Sequence, residues 1–182
     1  MSPVLAIDPG TTQSGWCSYA NGVVLASGIE DNKQILHRLR DWHSGHAVAV
    51  EMIASYGMSV GKEVFETCVW IGRFTQSVEG RASLIYRRNV KLHLCGTVRA
   101  KDTNVRQALI DKLGPQGTKA APGPTFGIKS HAWAALGVAV TFSETRINLS
   151  FQTGQDVATS AALITADAAR PDPCMAVLKG CE

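Results

Sequence analysis

No stretch of this chain stays apolar for long. The longest such run, Ala132 to Val140, has nine residues, whereas a helix needs roughly 20 to cross a bilayer, so no membrane span is expected. The opening Met-Ser-Pro-Val-Leu-Ala-Ile-Asp has no basic stretch followed by an apolar one, so no secretory signal is expected either. Cysteines are few. Cys17, Cys68, Cys95, Cys174 and Cys181 are odd in number and form no Cys-x-x-Cys pair. They read as reduced thiols of a cytoplasmic protein rather than a disulfide framework or a zinc site. There is no Ser-His-Asp arrangement and no internal repeat. Charged residues make up only 18% of the 182, against 45% apolar, which excludes disorder for most of the chain. The length fits one domain with a possible appendage, large enough to bury a core without staples.

Acids are also missing, but locally. From Arg81 to Lys129 there are ten Lys and Arg against two acids, Asp102 and Asp111. This segment therefore carries +8 within a net charge of +3, which leaves −5 for the remainder. A block this basic points to a polyanionic partner, nucleic acid first. The bland alternative is a solvated surface with chance clustering.

The elements follow from patterning. Residues 3–8 form a buried strand ending in an acid, and Pro9 to Gly15 form a turn. Trp16 to Ala20 and Val23 to Ser27 flank Asn21-Gly22, the strongest short hairpin signal. Ile35, Leu36, Leu39 and Trp42 recur at helical spacing, with Asp31 as a cap. His46 to Val50 is a second buried strand, ending in Glu51. Lys62 to Val78 is a helix, with Val64, Phe65, Cys68, Val69, Ile71 and Phe74 mostly inward. Leu84 to Tyr86 and Lys91 to Leu94 read as a short strand or strand pair. A helix runs from Asp102 to Leu113, closed by Gly114-Pro115. Pro115 to Gly127 reads as a mobile loop, and a last helix, capped by Ser130, runs from His131 to Phe142. The layout is α/β with a mixed sheet. It comprises a domain over residues 1–147 and a tail over 148–182, partly disordered or helical, with an Ala-rich stretch and a Pro-Asp-Pro break.

Asp8 and Glu51 stand where strands stop, a place that holds side chains rigidly and exposes their tips. Paired carboxylates without nearby cysteines favour a hard cation, Mg²⁺ or Mn²⁺. The plainer reading is that each acid caps the turn or helix after it. His131, at the start of the last helix, is a third candidate ligand, although a lone His is more often structural. Spacing alone does not bring the three together.

The wording of the motifs does. Ala6-Ile7-Asp8-Pro9-Gly10-Thr11-Thr12-Gln13-Ser14-Gly15-Trp16 resembles the first motif of RuvC-type Holliday-junction resolvases, of the RNase H-like superfamily. Val48-Ala49-Val50-Glu51-Met52 is similar to the second, a strand ending in a catalytic glutamate. Val98 to Leu109 resembles the family's basic turn and helix. Ser130 to Thr141 resembles the final helix, which carries the last metal ligands. Met52 to Met58 and Gly61 to Thr67 are close in wording to phage and prophage members. The match covers residues 4–142. It departs from the family at one place. Many members have a second acid one turn after the first ligand of the final helix, and here that place is Ala134.

The resemblance implies an RNase H-like fold, a mixed five-stranded sheet flanked by helices. It implies hydrolysis of branched DNA, four-way junctions above all, to 5′-phosphate and 3′-hydroxyl ends. Asp8, Glu51 and His131 would be the metal ligands and catalytic residues, serving two Mg²⁺ (or Mn²⁺) ions about 4 Å apart. Arg87, Arg88, Arg99, Lys101 and Arg106 would neutralise phosphates, so binding should weaken steeply with salt. Tyr56 would stack on or wedge an unpaired base, and Lys62 would reach a phosphate. Asp102, which opens its helix, reads first as an N-cap, with help in the metal site as the lesser alternative. The helix from Lys62, with Phe65, Val69, Trp70 and Phe74, would pack on a second subunit to give a homodimer matching the two-fold symmetry of a junction. Two other classes stay open. An actin-like ATPase would share the Asp8-Pro9-Gly10-Thr11-Thr12 hairpin but needs two lobes. A branched-DNA-binding module would cut weakly or not at all.

Overall fold

The computed structural model describes residues 3–42, 47–55, 57 and 59–146. Tyr56 and the 148–182 tail lie outside the described residues. The chain divides into one unit, Met1–Glu144, and a second, Thr145–Glu182, of which only Thr145 and Arg146 are described.

Five strands and five helices make up the described chain: β1 (Val4–Asp8), β2 (Gln13–Ala20), β3 (Val23–Asp31), α1 (Asn32–Trp42), β4 (Ala47–Met52), α2 (Lys62–Ser77), β5 (Ser83–Tyr86), α3 (Arg87–Cys95), α4 (Asp102–Leu113) and α5 (residues 131–146). The strands form one mixed sheet in the order β3-β2-β1-β4-β5. The β1–β2–β3 meander is antiparallel, and β4 and β5 run parallel to β1. The Asn21-Gly22 hairpin forms as read, with φ of 51° and 84°, the positive pair that a tight turn between twisted strands requires.

Alternation along the strands feeds two cores. Leu5, Ile7, Trp16, Val48 and Val50 pack with Ile35 and Leu39 of α1 and with Ile71, Phe74 and Val78 of α2 and its end. Val4, Ala6, Cys17, Tyr19 and Ala49 face the other way, onto Val90 of α3, Val105 and Leu109 of α4 and the apolar face of α5. Glu144 ties the three helices of this side together, 2.7 Å from His93 Nε2 and 2.9 Å from Lys112 Nζ. Cys17, Cys68 and Cys95 are free thiols. No described helix is long and apolar enough to cross a membrane.

Two readings of the sequence need correction. Lys91 to Leu94 is not a strand. Arg87–Cys95 is helical, and Gly96 closes it with φ of 69° and a bond from its N–H to Leu92 O at 2.9 Å. Val90, Leu92 and Leu94 alternate and so imitate a strand, but only Val90 is buried in the helix. In α2, Phe65, Cys68 and Val69 point outward; Phe65 is 61% and Val69 53% exposed. Phe65 lies six residues before Ile71, about 240° round the helix, and so cannot share its sheet-facing side. The 115–127 stretch closes on itself through the bonds Thr118 N–H to Ala121 O and Gly123 N–H to Gln116 O, at 3.0 and 2.8 Å.

The turn after β1 is fixed by a buried polar network. Ser14 and Asn32 are both fully buried. Ser14 Oγ donates to Asn32 Oδ1 and accepts from Gly10 N–H at 3.2 Å, while Asn32 Nδ2 donates to Gly10 O at 2.9 Å. Buried polar atoms left without partners are costly. Asn32→Ala is therefore expected to cost about 2 kcal/mol, read as a lower urea midpoint at unchanged slope.

Candidate functional site

Register sets the two acids side by side. Ala6 pairs with Ala49 and Ile7 with Val50 across the parallel β1–β4 ladder, so the next step along it is Asp8 beside Glu51. Both continue the rows that face α3, α4 and α5, because Ala6 and Ala49 already do. Glu51 is only 6% exposed.

The neighbouring strand supplies a cation. β5 runs parallel to β4 with Met52 opposite Tyr86, and α3 begins at the next residue, Arg87. Its Nη1 lies 3.4 Å from Glu51 Oε2 and its Nη2 donates to Asp102 Oδ1 at 2.8 Å. Asp102 is not the N-cap of α4. Lys101 occupies that position, with its N–H bonded to Asn104 Oδ1 at 3.0 Å. That leaves the Asp102 carboxylate for Arg87 and for Lys91, 3.7 Å away.

From the other side, α5 brings in His131, whose Nδ1 lies 3.0 Å from Asp8 Oδ2. Gly15 makes this approach possible. It pairs with Asp8 across β1–β2, and a Cβ on it would collide with the His131 carbonyl and stand 2.8 Å from Ala132 N. The residue before His131, Ser130, has φ of 40°, a left-handed conformation uncommon outside glycine.

These side chains line one open cleft of about 370 Å³, which also includes Val105, Arg106, Trp133 and Ala134. Arg106 lies over the Trp133 ring at 4.9 Å. Of the seven proposed DNA contacts, the structure brings Arg87 and Arg106 to the cleft. Arg88, Arg99 and Lys101 stand exposed on α3 and on the turn into α4. Lys62 opens α2 and pairs with Glu66 on its own helix at 3.3 Å. Sequence reasoning missed the inward turn of Arg87 and the seat at Gly15. The signal for Arg87 was its place directly after a strand parallel to the one bearing Glu51.

Burial first, and the Asp8 carboxylate second, push Glu51 up to about 8 against the pull of Arg87. Burial raises Asp8 as well, opposed by its hydrogen bond to His131. Asp102 is held below the usual carboxylate range, mainly by its hydrogen bond from Arg87. Glu51 and Asp102 thus share one guanidinium, and Asp8 has His131 as its partner. Among the described residues no three of His, Cys, Asp and Glu converge into a ready-made metal cage. The donor set still fits a hard divalent cation, because Mg²⁺ is typically held by one or two carboxylates, with water and substrate phosphate completing its shell. Such an ion would favour the ionised form of Asp8 and Glu51, which burial opposes.

No family model matches the chain, and no curated protein matches it in sequence. Solved structures do. The Thermus thermophilus RuvC structure is 21% identical, with a TM-score of 0.55, over 80% of this chain and 96% of that one. T. thermophilus RuvC in complex with Holliday junction substrate is 22% identical, with a TM-score of 0.54, over 81% and 97%. The chain therefore has a RuvC-like, RNase H-like fold, as the motifs imply.

The raised acids give a pH signature. Between the ordinary carboxylate range and about 8, the folded protein holds a proton at Glu51 that the unfolded chain has released. Stability contributed this way is present at low pH and is lost as pH rises through that window. In chelator, the wild-type Tm should fall by several degrees between about pH 5.5 and about pH 8.5. Glu51→Gln should flatten this slope and melt higher than wild type at the alkaline end, as followed by circular dichroism.

Proposed function

We propose that this chain is a metal-dependent, structure-selective DNA endonuclease that resolves Holliday junctions or related branched DNA. It would hydrolyse phosphodiesters to leave 5′-phosphate and 3′-hydroxyl ends. The observation that carries the reading is the meeting of Asp8, Glu51 and His131 in one cleft, at the ends of adjacent parallel strands, beside exposed cations. The likeness of fold to a RuvC solved with a Holliday junction substrate supports branched DNA as the partner. The phage-like wording of residues 52–67 supports a phage or prophage source.

Asp8, Glu51 and His131, which line one cleft, are the residues that would hold Mg²⁺ or Mn²⁺ ions. When bound, such ions supply Lewis-acid activation of water and neutralise charge at phosphorus. The chain's own groups do the rest. Nδ1 of His131 faces Asp8, which orients the ring and leaves Nε2 either to hold an ion or to position the attacking water. Arg87 keeps Glu51 paired and in place before substrate arrives. Arg106, braced on Trp133, and the exposed Arg88, Arg99 and Lys101 neutralise phosphates of the arms. Tyr56 and Lys62 are proposed for the branch point and a flanking phosphate.

A homodimer completes the reading. Phe65, Cys68, Val69 and Gly72 lie at i, i+3, i+4 and i+7 on the outward face of α2, all exposed. Such a stripe suits a second helix of the same kind, and two copies would allow paired nicks across a symmetric junction.

A second reading keeps the grip and drops the cut. Ala134 lines the cleft where the family's final helix has an acid, so the chain could bind branched DNA without cleaving it. A nicking assay on a synthetic four-way junction with Mg²⁺ or Mn²⁺ separates the two. The expected result is cleavage by wild type and a loss of at least 100-fold in Asp8→Asn. Binding without cleavage in either metal would favour the second reading, and full activity in Asp8→Asn would sink the proposed site. For the dimer, Phe65→Glu should halve the mass seen by light scattering with little change in Tm, because Phe65 is 61% exposed.

A further inference from the structure

The catalytic cleft has a neighbour. A second hollow, of about 470 Å³, is lined by Arg106, Gln116, Phe126, Ile128, Lys129 and Trp133 among others. It shares Arg106, Ser130 and Trp133 with the cleft that holds Asp8 and Glu51. Its floor is apolar, since Ile128 and Trp133 are buried. Its rim is cationic. Arg106 stacks on Trp133 and donates to Gln116 Oε1 at 3.1 Å, and Lys129 is exposed. Between Asp111 and Glu144 the chain has no acid, so nothing in this stretch offsets the positive charge.

Phe126 is the unusual wall. It is 46% exposed, and a single exposed aromatic is in itself ordinary. Here, however, it is pinned. Thr125 before it is fully buried and donates from Oγ1 to Gly114 O at 3.1 Å. Ile128 after it is buried, and its carbonyl accepts from Trp133 Nε1 at 3.0 Å. The loop leading to Phe126 folds back so tightly that a Cβ on Gly117 would collide with Ala121 O, and one on Gly123 with Pro115 O. The chain thus holds a flat apolar ring in the wall of this second hollow, between two backbone anchors and beside Arg106 and Lys129.

We infer that this hollow is a base-binding subsite: an unpaired nucleobase next to the scissile phosphate stacks on Phe126, while Arg106 and Lys129 hold its flanking phosphate. The inference rests on the nuclease reading and deepens it by naming what in a branched substrate is recognised. An aromatic face with adjacent cations is how proteins grip single-stranded nucleic acid without reading sequence. The preference for a branch follows from energetics. A base in a continuous duplex must be unstacked and unpaired before it can reach Phe126, whereas a base at a branch point is already partly free.

The test uses the full chain, chelator in place of metal, and a four-way junction carrying 2-aminopurine at the branch point. Wild type is expected to bind the junction and quench the probe. Phe126→Ala should lose the quenching and bind the junction about tenfold more weakly, with duplex binding little changed. Phe126→Tyr should restore both. Phe126→Leu fills similar space without a ring and should behave like the alanine variant; wild-type quenching by Phe126→Leu or Phe126→Ala overturns the inference and leaves the nuclease reading intact. A wild type that binds junction no better than duplex overturns the nuclease reading and the subsite with it.

Discussion

Two carboxylates set at the ends of adjacent parallel strands, away from water, repel one another and resist ionising together. Much of the site is arranged around that constraint. The β1–β4 register makes Asp8 and Glu51 neighbours, and strand alternation turns both toward the same helices, with Glu51 buried and Asp8 half-buried. Arg87 arrives from β5 to pair with Glu51, and His131 arrives on α5 to pair with Asp8. Neither partner cancels the pair: Arg87 also serves Asp102, and His131 carries a full charge only when protonated. A buried acid pair left short of positive charge is costly to a fold that does nothing with it. It is a natural arrangement for one that recruits cations.

This arrangement also recasts the charge asymmetry of the chain. The basic segment from Arg81 to Lys129 does not act as one surface. Arg87 turns inward and belongs electrostatically to the acids, as does Lys91 through Asp102. Arg88, Arg99 and Lys101 remain outside, and Arg106 stands at the boundary, stacked on Trp133 between the two hollows. A single block in sequence thus divides into an internal counter-charge and an external grip.

Much of the fold was legible where one period dominated. β1 ended in Asp8 as read and β4 one residue beyond Glu51, the Asn21-Gly22 turn formed, and α4 kept its bounds. Legibility failed where two periods overlapped. Val90, Leu92 and Leu94 satisfy a strand pattern and also belong to a helix, and only tertiary packing on Val90 decides between them. It failed again at positions whose role is relational. Nothing near Asn32 in sequence says that it will be buried against Ser14 and Gly10, and nothing around Phe126 says that a Gly- and Pro-rich stretch will lock rather than wander. The candidate site was read as three residues that spacing could not unite. The structure brings them to one cleft, and their roles rest on the proposal.

Gly15 has a mechanical consequence. At this residue one main chain rests directly on another, the β2 strand against the first turn of α5, with no side chain between them. Side chains have rotamers and therefore slack; two backbones in contact have almost none. Any twist or breathing of the β1–β2 hairpin is passed to α5 as displacement of its first turn. The backbone of His131 is therefore referenced directly to the strand paired with the one that carries Asp8.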